Sequence, residues 1–245
     1  ASTSDHVDGV LARANAINRR APYQNVPDLR KRINSHDVHY NDRHLSDMAQ
    51  ETRYGFFGKI DYAIIEAADI TSDGEVILGC GVGNIPTYAA MADKIFIELN
   101  AKLPHHLKGM HDIYKPLDPP YRREIAIYKP SDRIGSPVLK IDPSKVIGIV
   151  KTDSYDCVKP FTEPDETSKL IGSNVVRFLI NEYKAGGIPK EFLPLQSGVG
   201  NVANAVLYDL GESKVLPSFQ MYTEVIQDAV LELMKKGKCT FASTC

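Results

Sequence analysis

The sequence predicts an α/β protein, and three observations carry that expectation. Between Ile60 and Asn100, strand-like apolar runs alternate with a helical stretch. Two glycine turns of matching sequence, Gly81-Val-Gly-Asn84 and Gly198-Val-Gly-Asn201, each stand between a strand-like run and a helix-like run. The 245 residues are 43% hydrophobic, enough for one large domain or two modest ones.

The N-terminal stretch to about Gln50 is polar, and Pro22 and Pro27 interrupt its helix-like patches. Asp37–Tyr40 reads as a short strand. Leu45–Phe57 reads as a helix, with Met48, Thr52 and Phe56 spaced by four and Gly58 closing it. Ile60–Ala68 is a buried strand, Thr71–Gly74 a turn, and Glu75–Gly79 a strand that runs into the first glycine turn. A helix through Met91 and the strand Lys94–Asn100 follow. Seven prolines between Pro104 and Pro143 exclude long helices and predict a long surface excursion with short extended pieces. Lys145–Val150 returns as a buried strand. The polar segment Asp153–Pro164 marks a boundary between domains 1–152 and 153–245. Pro164-Asp-Glu166 opens a helix lined by Ile171, Val175, Phe178 and Leu179 and ended by Gly186-Gly187. The strand at Leu193–Gln196, the second turn and its helix follow. Next come the strand Ser218–Thr223, then Glu224, and a last helix lined by Ile226, Val230, Leu233 and Met234.

Bulk properties remove several classes. The formal net charge is -2, without the basic excess of a nucleic-acid binder. The one basic cluster, Arg19, Arg20, Arg30, Lys31 and Arg32, reads as a solvated face, with contact to cofactor phosphates as the alternative. Cys80, Cys157, Cys239 and Cys245 form no C-x-x-C pair, which argues against a zinc site and a disulfide framework and fits a reducing compartment. A cytoplasmic protein is expected, mitochondrial in a eukaryote. No apolar run reaches membrane-spanning length. His105, His106 and His111 lie in the proline-rich excursion, where no rigid element holds ligands, so no metal is expected. Ser197 lacks the G-x-S-x-G elbow of a serine hydrolase, and Cys80 reads as a packed small residue. The start at Ala1 and the strand-like end Cys239–Cys245 read as a fragment of a longer protein.

Taken alone, Val76–Asn84 is similar to the first motif of S-adenosylmethionine-dependent methyltransferases, with Glu98 at a following strand end to hold ribose hydroxyls. Two strands precede that motif, and the second, matching turn is left without a role. The second turn with Glu224 offers different chemistry. A carboxylate can attack an activated carbonyl. Amides at a glycine turn and helix start can receive the oxyanion. Glu224, placed where a strand hands over to a helix, would have its charge stabilised by the helix N-terminus. Glu98 and Glu224 make the two halves look like a repeat, one acid per glycine turn.

Six segments carry a family resemblance. They are Asn18-Arg-Arg-Ala-Pro22, Tyr40-Asn-Asp-Arg-His-Leu-Ser46, Tyr54-Gly-Phe-Phe57, Ile60–Ala68, Leu193-Pro-Leu-Gln-Ser-Gly-Val-Gly-Asn201 and Tyr222-Thr-Glu-Val-Ile-Gln-Asp228. Together, and in this order, they resemble the acetyl-CoA hydrolase / succinyl-CoA:acetate CoA-transferase family. The resemblance implies two related open α/β domains of the CoA-transferase type, both truncated here, since family members begin before Ala1 and continue past Cys245. It implies acyl-CoA:carboxylate transfer or acetyl-CoA hydrolysis through a glutamyl-CoA thioester on Glu224. CoA contact and oxyanion donation fall to Gly198, Val199, Gly200, Asn201, Val202 and Ala203, and a further glycine-rich segment lies beyond Cys245. Coenzyme A enters as substrate, with no permanently bound cofactor. The expected partners are an acyl-CoA and a short carboxylate such as acetate or succinate, in a homodimer, without nucleic acid or membrane.

Overall fold

The computed structural model describes residues 5–156 and 163–244; Cys157, Cys245 and part of the expected boundary segment lie outside the described residues. The chain divides into two compact units, Ala1–Glu124 with Ile134–Val158, and Ile125–Arg133 with Lys159–Cys245.

The first unit opens on a wide helical turn, Asp5–Gly9, that runs into α1 (Val10–Arg13). β1 (Arg19–Arg20) pairs in parallel with β2 (His39–Tyr40). Between them lies α2 (Pro27–Asn34), where Pro27 starts a helix rather than interrupting one, because the first helical position needs no amide hydrogen. The basic cluster is only partly a solvated face. Arg20 donates to Asp8 at 3.0 Å in a pair whose side chains are largely buried, and Arg32 donates to the Ala12 carbonyl at 2.9 Å. α3 (Leu45–Arg53) is shorter than expected. Gly55 takes a φ of 79° directly after it, so the chain turns before Phe56, which is 69% exposed. Arg53 at the end of α3 holds Asp118 of the proline-rich excursion through its Nε at 3.0 and 3.1 Å. That hydrogen bond keeps the Asp118 carboxyl below the usual carboxylate range.

The sheet of this unit contains β3 (Tyr62–Ile70), β4 (Glu75–Leu78), β5 (Lys94–Asn100), β6 (Leu139–Lys140) and β7 (Val146–Thr152), in the order β6-β4-β3-β5-β7. β3, β5 and β7 are parallel, whereas β4 runs antiparallel to β3. α4 (Ile85–Met91) places Ala89 in one core with Ala63, Ile65, Ile95 and Ile97. The expected burial of Ile60–Ala68 and Lys145–Val150 holds for one face of β3 and for no residue of β7. Ile64, on the opposite face of β3, is 76% exposed, and Ile147, Ile149 and Val150 of edge strand β7 are also exposed. An apolar run records that a strand can be buried, not that a second layer covers it. The excursion carries two single turns, His105–Leu107 and Pro143–Lys145, an isolated bridge between Ile113 and Ser136, and β6.

The second unit begins with α5 (Glu166–Ala185). Asp165 is its N-cap, accepting from the Ser168 amide at 2.7 Å, so Pro164 lies one residue outside the helix. Gly186 ends it with a φ of 81°. The buried line is Ser168, Gly172 and Val176, not Ile171, Val175 and Phe178, and Phe178 is 61% exposed. The reason is close packing against α6 (Asn201–Glu212): a Cβ on Gly172 would stand 2.9 Å from the Ala205 backbone carbon. Small residues, not large ones, let the two backbones approach. Gly172→Leu should therefore destabilise the unit by roughly 1–3 kcal/mol by overpacking, despite its better helix propensity, as read by urea unfolding.

β8 (Phe219–Thr223) lies between two parallel neighbours, β9 (Cys239–Thr244) on one side and Leu195 on the other. α6 connects Leu195 to β8, and α7 (Asp228–Lys235) connects β8 to β9. α7 buries Ala229, Val230 and Leu233; Ile226 precedes the helix, and Met234 is exposed. The C-terminal end of α6 is held by Lys238, whose ammonium donates to the Ser213 and Leu216 carbonyls at 2.7 and 2.6 Å. Burial pushes that lysine's pKa down. Phe192, buried with a φ of 48°, packs its ring 5.9 Å from Phe219 and anchors the run into Leu195.

Candidate functional site

The site grows out of a sheet ladder that stops. Leu195 donates its amide to the Gln220 carbonyl at 2.9 Å, and Tyr222 donates to the Leu195 carbonyl at 3.0 Å. The Thr223 hydroxyl, on a fully buried side chain, then replaces the next rung. It accepts from the Ser197 amide at 3.1 Å and donates to the Ser197 carbonyl at 2.9 Å. Both backbone groups of Ser197 are satisfied without extending the strand, and the chain is free to turn. Gln227 Nε2 donates to the Gly198 carbonyl at 2.9 Å. Gly200 adopts φ 126° and ψ 173°, a conformation essentially closed to other residues, and α6 begins at Asn201. The amides of Asn201, Val202 and Ala203 open α6, where helix geometry supplies no carbonyl to receive them. Val199 and Val202 are exposed, and the Ser197 hydroxyl turns back to the Gly198 carbonyl at 3.3 Å.

Glu224 follows Thr223 directly and its side chain is exposed. It does not stand at the start of a helix. α7 begins at Asp228 with Gln227 as N-cap, and Glu224 lies in the intervening bend. The expected charge stabilisation by its own following helix is therefore absent, since that effect falls off within one turn. The helix start adjacent to the glycine turn is that of α6. The Thr223–Ser197 and Gln227–Gly198 bonds tie the turn to the two residues that bracket the Glu224 bend. Sequence reasoning named the glycines and the glutamate and missed Thr223 and Gln227. Their signal was present in the same motif, Tyr222-Thr-Glu-Val-Ile-Gln-Asp228, but a threonine and a glutamine carry no chemistry until their partners are known.

The first glycine turn is different. β4, which enters it, is antiparallel to β3, while β5, which follows α4, is parallel to β3. Strand, turn, helix and strand thus do not form the parallel βαβ unit that cofactor binding of the methyltransferase kind requires. α4 also has Pro86 in its first turn, which removes an amide donor. Glu98 accepts from the Thr152 hydroxyl at 3.0 Å, and its neighbour Glu66 accepts from Asn100 Nδ2 at 2.7 Å. Cys80 is exposed rather than packed as expected, and partial desolvation, then the charges of Asp156 and Glu66, push its thiol up. His111 Nε2 lies 3.2 Å from the Leu78 carbonyl oxygen. Among the described residues, no group of three or more His, Cys, Asp or Glu is placed to hold a metal, and no helix is long and apolar enough to cross a membrane.

Comparison with known proteins agrees with this architecture. The chain is similar to 4-hydroxybutyrate CoA-transferase from Porphyromonas gingivalis, with a TM-score of 0.56 and 20% identity over 95% of this chain and 50% of that one. At that identity the likeness concerns the fold, an α/β fold of the CoA-transferase kind. Propanoyl-CoA:succinate CoA transferase of Escherichia coli (strain K12) is 45% identical over 99% of this chain and 49% of its own length. Succinyl-CoA:acetate CoA-transferase of Clostridium kluyveri is 44% identical over 99% of this chain and 45% of its own. The chain spans about half the length of these curated relatives. The family model described as the acetyl-CoA hydrolase/transferase N-terminal domain matches residues 1–151. On that match and these identities, the chain belongs to the acetyl-CoA hydrolase/transferase family.

Proposed function

We propose that this chain serves acyl-CoA:carboxylate CoA transfer, with Glu224 as the nucleophile and the turn Gly198–Ala203 as the oxyanion and CoA contact. The observation that carries the proposal is the tether between them. The glutamate is bracketed by Thr223 and Gln227, and both of those side chains grip the glycine turn. The turn also lies at the carboxyl end of a parallel strand pair, where open α/β sheets bind ligands.

The chemistry follows from the groups. The Glu224 carboxylate attacks the thioester carbon, the C–S bond breaks, and CoA thiolate leaves a mixed anhydride. The thiolate attacks the glutamyl carbonyl of that anhydride, releasing the donor carboxylate and leaving a glutamyl-CoA thioester. An acceptor carboxylate attacks this thioester to form a second mixed anhydride. Thiolate then takes the new acyl group and frees Glu224. Each addition puts negative charge on a carbonyl oxygen, which backbone amides of the turn receive. Water in place of the acceptor gives hydrolysis, so exclusion of water separates the two outcomes. The names of the relatives support a CoA thioester and a short carboxylate such as succinate or acetate as the substrates. We read residues 1–152 and 153–245 as the paired domains of such an enzyme, working as a homodimer; the compact units differ in giving Ile125–Arg133 to the second.

The test uses protein expressed from its full coding sequence. Incubated with an acyl-CoA and no acceptor, it should carry a CoA adduct that peptide mass spectrometry locates at Glu224. Added acetate should discharge the adduct and form acetyl-CoA. An enzyme that turns over acyl-CoA with no adduct at Glu224 would overturn the proposal.

A further inference from the structure

Gln227 occupies an unusual position for its side chain. It is the N-cap of α7, yet makes no capping bond to its own helix. The residues that cap well are short, since the side chain must fold back on the next turn. Gln227 instead reaches to the Gly198 carbonyl.

That bond controls a peptide plane. In a trans peptide the carbonyl of one residue and the amide hydrogen of the next point in opposite directions. Holding the Gly198 carbonyl toward Gln227 therefore fixes the Val199 amide hydrogen on the opposite side of the turn. The Thr223 hydroxyl does the same one residue earlier: by gripping the Ser197 carbonyl it sets the direction of the Gly198 amide. The two bonds act on consecutive planes. The second plane is the one that needs help, because glycine on its N-terminal side lets it rotate at little cost. The Ser197 hydroxyl also donates to the Gly198 carbonyl, at 3.3 Å, so the 2.9 Å bond from Gln227 is the shorter of the two that hold the plane.

Building on the proposed Glu224 chemistry, we propose that Gln227 is a positioning residue: its carboxamide locks the Gly198–Val199 peptide so that the Val199 amide remains an oxyanion donor. It touches neither substrate nor reacting atoms. Its role is to remove a peptide flip that would present a carbonyl oxygen, instead of an amide, to developing negative charge.

Gln227→Glu separates this role from a structural one. The variant has the same length, but an ionised carboxylate cannot donate to the carbonyl and repels it. The same charge at the N-cap of α7 favours the helix. Stability and activity should thus move apart in full-length enzyme: kcat for transfer falls about 10–100-fold, KM for acyl-CoA changes less than about twofold, and Tm is unchanged or higher. As pH falls, the introduced carboxyl gains a proton and can donate again. Bonding to a carbonyl favours the neutral form and raises its pKa, so the ratio of variant to wild-type kcat should recover toward pH 5. Gln227→Ala should lose kcat without that recovery. Gln227→Glu with wild-type kcat, or with kcat and Tm lost together and no recovery at low pH, would overturn the inference. Glu224→Ala in the same series keeps the two ideas distinct. A Glu224→Ala enzyme that still transfers CoA defeats the nucleophile assignment. A dead Glu224→Ala beside a normal Gln227→Glu defeats only the positioning role.

Discussion

Glu224→Ala should lower CoA transfer by about 10⁴-fold or more and abolish the covalent CoA adduct, while leaving the fold intact. The size follows from mechanism. Removing a covalent nucleophile eliminates the path through enzyme-bound intermediates, and what remains is binding and oxyanion stabilisation. Folding is spared because the side chain is exposed and lies in a bend between β8 and α7. The natural comparison is Glu98, the acid after the first glycine turn. Glu98→Gln preserves size and the bond to Thr152, and should transfer CoA at close to the wild-type rate. Steady-state rates with an acyl-CoA and acetate, with intact-mass analysis of each variant, make the comparison. Equal activity in Glu224→Ala and wild type would remove the nucleophile, and loss in Glu98→Gln alone would move it to the first unit.

Gly200→Ala should have the second-largest effect. At φ 126° and ψ 173° an L side chain collides with its own backbone, a strain of roughly 1–3 kcal/mol. The chain can relieve it only by rotating the two peptides that flank Gly200, and those peptides carry the Gly200 and Asn201 amides. Loss of one oxyanion donor costs about 3–4 kcal/mol of transition-state stabilisation, or roughly 10²–10³ in kcat. Gly198→Ala is the structural control. Gly198 is not in the left-handed region, and an added Cβ there meets nothing within 4 Å. Its Tm should match wild type, whereas that of Gly200→Ala should fall. Matching Tm and kcat in Gly200→Ala would show that the turn conformation is not required.

Much of this was legible in the residues. The strand Lys94–Asn100, the helix ending near Met91 and the left-handed stop at Gly186 occur as the local pattern predicts, because short-range sterics and hydrogen bonding decide such features. The faces were harder. On α5 the apolar residues Ile171, Val175 and Phe178 suggested the buried stripe, but the Gly172 line is what faces α6. Close backbone approach competes with side-chain size, and only the partner helix reveals which prevails. The same limit applies to β3 and β7, whose apolar runs say nothing of a covering layer.

The sequence by itself determined the α/β class, both glycine turns and the motif that carries Glu224. Gly-Val-Gly-Asn is identical in each turn, and the resemblance carried by Tyr222–Asp228 already singled out the second. Tertiary structure decided the surroundings of each turn. The strand entering the first turn is antiparallel to its neighbour, and the strand entering the second is parallel to β8. Strand direction is set by pairing between residues distant in the chain. That pairing brings Thr223 and Gln227 against Ser197 and Gly198, contacts between residues too far apart in the chain for a local pattern to show.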